Sequence, residues 1–133
     1  MLKSLAVQNF ALIEHISLQF HNGLHVITGE TGSGKSILLG ALNLILGERS
    51  DFSVIRNPEK KTIVEAIFQL EPEFRDWFTR EDIDWEPETV IRREITSQGK
   101  SRSFINDTPV QLAQLKELTE QLVYIHSQHE TLE

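Results

Sequence analysis

Gly29-Glu30-Thr31-Gly32-Ser33-Gly34-Lys35-Ser36 fits G-x-x-x-x-G-K-[ST] at every fixed position, between the apolar run Leu24–Thr28 and the apolar run Ile37–Leu46. A strand that delivers a glycine-rich loop to the start of a helix is the setting in which this motif binds phosphate. Gly29, Gly32 and Gly34 leave the backbone free to wrap a triphosphate with its N–H groups, where a side chain would obstruct the approach. Lys35 adds a compact positive charge for the β- and γ-phosphates, and the Ser36 hydroxyl stands where Mg²⁺ is ligated. The helix opening at Lys35 aims its unpaired N–H groups and positive dipole end at the anion. Ile37, Leu38, Ala41, Leu42, Ile45 and Leu46 recur at helical spacing, which predicts one apolar face against a core, and Gly47 supplies a left-handed stop.

The remainder of the chain predicts an α/β domain with several antiparallel strands. Leu2, Leu5 and Val7, then Ile16, Leu18 and Phe20, alternate as two strands separated by Asn9–Ile13. His21-Asn22-Gly23 forms a turn before the strand Leu24–Thr28. Lys61–Leu70 alternates strongly, Glu71-Pro72-Glu73 opens a short helix with Phe74, Trp77 and Phe78 on one side, and the acidic stretch Glu81–Glu88 is a loop. Thr89–Thr96 and Lys100–Asn106 predict a hairpin around Ser97-Gln98-Gly99. Thr108-Pro109-Val110-Gln111 predicts a helix start, and Leu122-Val123-Tyr124-Ile125 a last strand. Gly99-Lys100-Ser101 repeats the end of the phosphate motif, but Glu94 stands where the first glycine belongs and no apolar helix follows.

The 133 residues contain 39% hydrophobic and 25% charged side chains, enough for one domain with a core. Cysteine is absent, which excludes disulfides and thiolate metal sites. No continuous apolar run approaches the about 18 residues of a membrane span, and the alternating start at Met1-Leu2-Lys3-Ser4-Leu5 is unlike a secretory signal. The expectation is a soluble, cytoplasmic protein. A net charge of −7 opposes a dedicated nucleic-acid module, so any DNA contact must be local or made elsewhere. Arg92, Arg93, Lys100 and Arg102 gather on the hairpin, either as a DNA-backbone contact or as a solvated face balanced by Glu94 and the acidic loop Glu81–Glu88. Trp77 and Trp85, among acidic neighbours, read as core or loop-anchoring rings.

Three further positions could serve a nucleotide. Arg56, and less so Arg49, lie downstream of the loop where a guanidinium could reach a γ-phosphate; the rival reading is a structural or solvated arginine. Gln128, a polar amide after the expected last strand, could touch Mg²⁺ or orient water. His126 and His129 have i,i+3 spacing but no third metal ligand. Hydrolysis also needs an apolar strand ending in Asp, commonly followed by Glu, and neither Asp84 nor Glu65 sits in that setting. A Leu-Ser-Gly-Gly-type signature is missing as well. The chain can grip a nucleotide and lacks the parts to turn it over.

Leu5–Ile13, Val26–Ser36, Gly47-Glu48-Arg49, Ser103-Phe104-Ile105-Asn106 and Ile125-His126-Ser127-Gln128-His129-Glu130 together resemble the N-terminal head segment of the RecN family, bacterial SMC-like DNA-repair ATPases. The resemblance covers essentially the whole chain, and the Gly-Glu-Thr-Gly loop with the Ile-His-x-Gln-His-Glu ending is its specific part. It implies the N-terminal lobe of an ABC-type ATPase head within the P-loop NTPase class, a mixed sheet with antiparallel strands, ending where a coiled coil would begin. A C-terminal half would bring the signature and the Mg²⁺-binding strand. By position it implies ATP and Mg²⁺ as cofactors, Gly29–Ser36 as the binding loop, Lys35 and Ser36 on phosphate and Mg²⁺, Gln128 as the glutamine-loop residue on the metal, and Arg56 near the phosphates. It further implies a second head across two sandwiched ATP molecules, DNA as the partner of the full-length protein, no membrane, and a nucleoid-associated place in the bacterial cytoplasm. The loop by itself also suits a small-molecule or nucleotide kinase, against which the strand-rich opening and the lack of an arginine-rich lid count; a third reading is a RecF-type head, which the Ile-His-x-Gln-His ending disfavours.

Overall fold

Alternate burial of residues along four of its strands builds the molecule around one antiparallel sheet. The computed structural model describes the backbone of residues 2–20, 32–49 and 52–131, and the side chains of 2–20, 37–49 and 53–122. The expected turn at His21-Asn22-Gly23 and the strand Leu24–Thr28 lie outside the described residues. The sheet contains β1 (Leu2–Phe10), β2 (Ile13–Gln19), β3 (Thr62–Gln69), β4 (Glu88–Ile95), β5 (Ser101–Ile105) and β6 (Thr108–Val110), in the spatial order β2-β1-β3-β4-β5-β6. Every pairing among these strands is antiparallel. Among the described residues three α-helices accompany it: α1 (Gly32–Ile45), the short α2 (Arg75–Arg80) entered through a 3-10 turn at Pro72–Phe74, and α3 (Leu112–Thr131).

The sheet has one dry face. Leu5 and Val7, then Thr62, Val64, Ala66 and Phe68, then Ile91, Arg93 and Ile95, then Ser103 and Ile105 are buried at alternate positions, as the pleat requires. Register fixes them together: Val7 pairs with Val64, Val64 with Arg93, and Arg93 with Ser103. The helix α1 lies across this face, burying Ala41, Leu42, Leu44 and Ile45, each large aliphatic side chain being worth about 1.5–3 kcal/mol. Phe74, Trp77 and Phe78 are buried on one side of the α2 segment, as the sequence predicts. Trp77 is a core ring whose Nε1–H donates to Glu117 Oε1 at 2.8 Å, and Trp85 packs edge-on against Phe78 with ring centroids 5.2 Å apart.

Two expectations are overturned at the C-terminal end. Thr108-Pro109-Val110 forms edge strand β6, and the helix begins at Leu112. The reason is a two-residue hairpin turn: Asn106 and Asp107 both take left-handed φ, +49° and +65°, and return the chain onto β5. Pro109 is tolerated because an edge strand has one side on which no N–H is needed. The cap forms three residues later, where Gln114 Oε1 accepts the Gln111 N–H at 2.9 Å. Leu122–Ile125 is likewise helical, part of the 20-residue α3. Its apolar residues continue the i, i+3, i+4 series of Leu115 and Leu118, and a short apolar run cannot by itself tell strand from helix.

The end of α1 is closed by a left-handed residue. Gly47 has φ +96°, with Gly47 N–H donating to Leu44 O at 3.1 Å and Glu48 N–H to Asn43 O at 3.2 Å, the paired bonds of a Schellman turn. A Cβ at Gly47 would lie 3.0 Å from the Lys116 backbone of α3. Gly47→Ala is therefore expected to lower stability by about 1–3 kcal/mol in urea denaturation, through φ strain and displacement of α3.

Candidate nucleotide-binding site

The phosphate motif meets the structure at the first turns of α1. The helix starts at Gly32, ahead of the Lys35 start that the sequence suggests, so Gly32, Ser33, Gly34, Lys35 and Ser36 are helical in backbone. The first four N–H groups of such a helix have no intrahelical partner, and no acidic residue in this first turn competes for them. Gly29, Glu30 and Thr31, together with the Lys35 and Ser36 side chains, lie outside the described residues. The donor set of backbone N–H groups, an ammonium and a hydroxyl suits a polyphosphate with its Mg²⁺.

Beside α1, the end of β1 is built on Asn9, a buried polar residue at φ +57°. Its Nδ2 donates to Asn57 O at 2.9 Å and to Lys60 O at 3.0 Å, and its Oδ1 accepts the Asn57 N–H at 2.7 Å. The Asn9 carbonyl accepts the Thr62 hydroxyl and, at 3.4 Å, the Arg56 N–H. Asn9 thereby clamps both ends of the loop that carries Arg56. The adjacent Phe10 bridges to Ile55 and packs under α1, where a Cβ on Gly40 would lie 3.5 Å from its ring. This places the Arg56 loop and α1 on a common support.

Arg56 is exposed and makes no ion pair among the described residues. It borders an open cleft of about 910 Å³ with Gln8, His15, Lys60, Lys61 and Ile63. The role of Asn9 escapes sequence reasoning because its bonds are formed with residues about fifty positions away. A signal does exist: an asparagine at a strand end tolerates left-handed φ and can satisfy several backbone groups at once.

The basic hairpin divides into three environments. Arg93 leaves the surface patch: its side chain points under α1 and is 1% exposed. Its Nη1 donates to Leu44 O at 2.7 Å and Glu48 O at 2.9 Å, and its Nη2 to Ser101 Oγ at 2.8 Å. Burial pushes its pKa down from the ordinary arginine value. Arg92 faces outward, 3.1 Å from both Glu94 and Asp107, with its guanidinium 4.5 Å above the Phe104 ring. Partial burial pulls its pKa down, but Asp107 and Glu94 outweigh this and leave it raised. Glu94 also holds Lys61 at 3.2 Å, so the balancing role predicted for Glu94 is met. Lys100 and Arg102 are exposed without an acidic partner among the described residues, and with Lys61 they border a second cleft of about 270 Å³. The two clefts share Lys61.

Gln128, His126 and His129 fall on α3, so a helix and not a strand end carries them; their side chains lie outside the described residues. Among the described residues no group of three His, Asp or Glu could hold a metal ion, and no helix is long and apolar enough to cross a membrane.

Residues 1–127 match the model of the RecF/RecN/SMC N terminal domain. The chain belongs to that family. It is similar to the DNA repair protein RecN of Vibrio cholerae, 42% identical over 131 residues that cover 97% of this chain and 24% of that one. RecN of Bacillus subtilis is 38% identical over 133 residues, covering 98% and 23%. The chain thus spans about a quarter of the length of the curated RecN relatives it matches. Among solved structures, an SMC ATPase aligns with TM-score 0.66 at 24% identity over 87% of this chain and 75% of that one. The recombination mediator RecF aligns with TM-score 0.64 at 20% identity over 86% and 29%. These likenesses establish the RecF/RecN/SMC head fold, and the family match removes the kinase reading.

Asn9→Ala removes the three side-chain bonds to Asn57 and Lys60 and leaves a left-handed alanine. The expected loss is about 2–4 kcal/mol in denaturant titration, with Asn9→Gly recovering only about 1 kcal/mol of it. Trypsin should cut the variant faster at Arg56, Lys60 and Lys61.

Proposed function

We propose that this chain is the ATP-binding N-terminal part of an SMC-like DNA-repair ATPase head of RecN type, acting in recombinational repair of double-strand breaks. The observation that carries the reading is a complete phosphate motif leading into α1, in a chain that matches the RecF/RecN/SMC N terminal domain over residues 1–127. Gly29–Ser36 cradle the phosphates, Lys35 neutralises them and Ser36 ligates Mg²⁺. Gln128 is the second metal contact, and Arg56, exposed on the loop that Asn9 clamps, is the arginine nearest the phosphates. Bound Mg²⁺ supplies charge neutralisation of the phosphates.

The catalytic acid belongs to the C-terminal half of the same head, and a coiled coil follows Glu133. Two such heads close on two ATP molecules, and closure is coupled to DNA holding. Support for this assembly comes from the SMC ATPase neighbour, whose description is of ATP-driven dimerization and DNA-stimulated activation. The DNA contact fits the exposed cations Lys60, Lys100 and Arg102 beside the two clefts that share Lys61. They supply local positive charge on a chain of net charge −7, beside Glu14 and Glu94 on the same cleft walls, and backbone phosphates are the groups such cations take.

Mg-ATP titrations of the native chain and of Lys35→Ala test the site: the native chain binds, the variant does not, and equal affinities would refute it. Turnover by the chain alone should be weak and rise on addition of the C-terminal segment. In the full-length protein, replacing Lys60, Lys100 and Arg102 together by Ala should weaken DNA binding evenly across sequences. The slope of log affinity against log salt should fall by about 2–3, and an unchanged slope would exclude this face.

A further inference from the structure

The far end of α1 is held by three different parts of the molecule. Asn43 O accepts from Glu48 N–H at 3.2 Å, Leu44 O from Arg93 Nη1 at 2.7 Å, and Leu46 O from the Thr119 hydroxyl at 2.9 Å. The first is the helix's own turn, the second comes from β4 and the third from α3. Gly47 allows α3 to approach to contact distance at Lys116. Arg93 is the costly member of this set. It is 1% exposed, has no carboxylate partner among the described residues, and its Nε has no hydrogen-bond partner. Its charge faces the negative end of the α1 dipole, two carbonyl oxygens and the Ser101 hydroxyl.

An apolar residue facing the core from β4 would fill the same space without burying a cation, and such replacements are frequently neutral or stabilising. A guanidinium supplies something that an apolar side chain cannot. Nη1 of its rigid fork donates both to Leu44 O in the last turn of α1 and to Glu48 O just past the Gly47 stop, while Nη2 holds Ser101 Oγ on β5, which fixes the end of α1 against sliding and rotation on the sheet. At 14 residues α1 is a rod of about 21 Å, with the end of the phosphate motif at one tip and this clamp at the other. Thr119 passes the same constraint to α3, the continuous helix that also carries Gln128.

We propose that Arg93 is a positioning residue for the phosphate loop: it locks the distal end of α1 to β4 and β5 and, through Thr119 and Gly47, makes nucleotide binding and the packing of α3 depend on each other. The inference rests on the phosphate-loop reading of Gly29–Ser36 and extends it from a binding site to a linked pair of elements. Linkage must be reciprocal, so nucleotide that steadies α1 also steadies α3.

The test is hydrogen exchange of residues 115–122 with and without Mg-ATP, alongside Mg-ATP affinity, in the native chain, Arg93→Met and Thr119→Val. In the native chain, Mg-ATP should slow exchange in that segment. Arg93→Met should bind Mg-ATP about tenfold more weakly, within the span of ordinary coupling energies, and lose the nucleotide-dependent slowing. Thr119→Val, which keeps the arginine, should retain affinity within about threefold and still lose the slowing, a change that a purely structural role would not produce. Should Arg93→Met fail to fold, Thr119→Val decides. Nucleotide-dependent slowing that survives in Thr119→Val, or native affinity in a folded Arg93→Met, overturns the proposal while leaving the phosphate loop intact. A native chain that does not bind Mg-ATP overturns the phosphate-loop reading and this one with it.

Discussion

A helix that offers its free N–H groups to an anion is useful only if its other end is fixed, and in this molecule the fixing of α1 organises the structure. Its apolar face lies on the sheet through Ala41, Leu42, Leu44 and Ile45. Apolar contact is not directional, so burial alone would let the rod shift along the pleated surface. Direction comes from the carbonyls of the last turn, which Glu48, Arg93 and Thr119 engage from different elements. The helix dipole gives the two ends opposite chemistry: unpaired N–H groups at the start, a buried guanidinium at the finish.

The sheet separates these tasks by face. Its inner surface carries the core and α1, while its outer surface sets charged residues such as Glu65, Arg92 and Glu94 among the half-buried Ile63, Ile67, Val90 and Phe104. Arg92 and Arg93 are adjacent in sequence, yet the period of two sends one into the core and the other over Phe104 beside Glu94 and Asp107. The four hairpin cations are therefore not one patch. Among the described residues Lys100 and Arg102, like Lys60 and Arg56 on the neighbouring loop, make no ion pair, while Arg93 is a part of the core.

Asn9 performs for the Arg56 loop what Arg93 performs for α1. Each is a buried polar side chain that satisfies backbone groups from a distant part of the chain, and each turns a contact into a defined geometry. Such groups are stabilising only when nearly all their bonds are made, because an orphaned partner in the interior costs about 1–3 kcal/mol. That cost is what gives the two clamps specificity.

Much of this could be seen in the chain before its fold was known. The phosphate motif, the amphipathic α1, its Gly47 stop, the alternation of β3 and the β4–β5 hairpin all depend on neighbours within a few positions, and local sterics and periodicity decide them. The motif by itself marks only a broad class; the Gly-Glu-Thr-Gly loop read together with Ile125-His126-Ser127-Gln128-His129-Glu130 is what points to the RecN family, and the family match bears that out. What the tertiary structure alone decided involved distant partners. Thr108-Pro109-Val110 became an edge strand because Asn106-Asp107 returned it to β5. Leu122–Ile125 became helix because the apolar series of α3 ran on through it. Arg93 and Asn9 took their roles from carbonyls about fifty residues away, and a one-dimensional pattern does not encode which distant carbonyl a buried donor will meet.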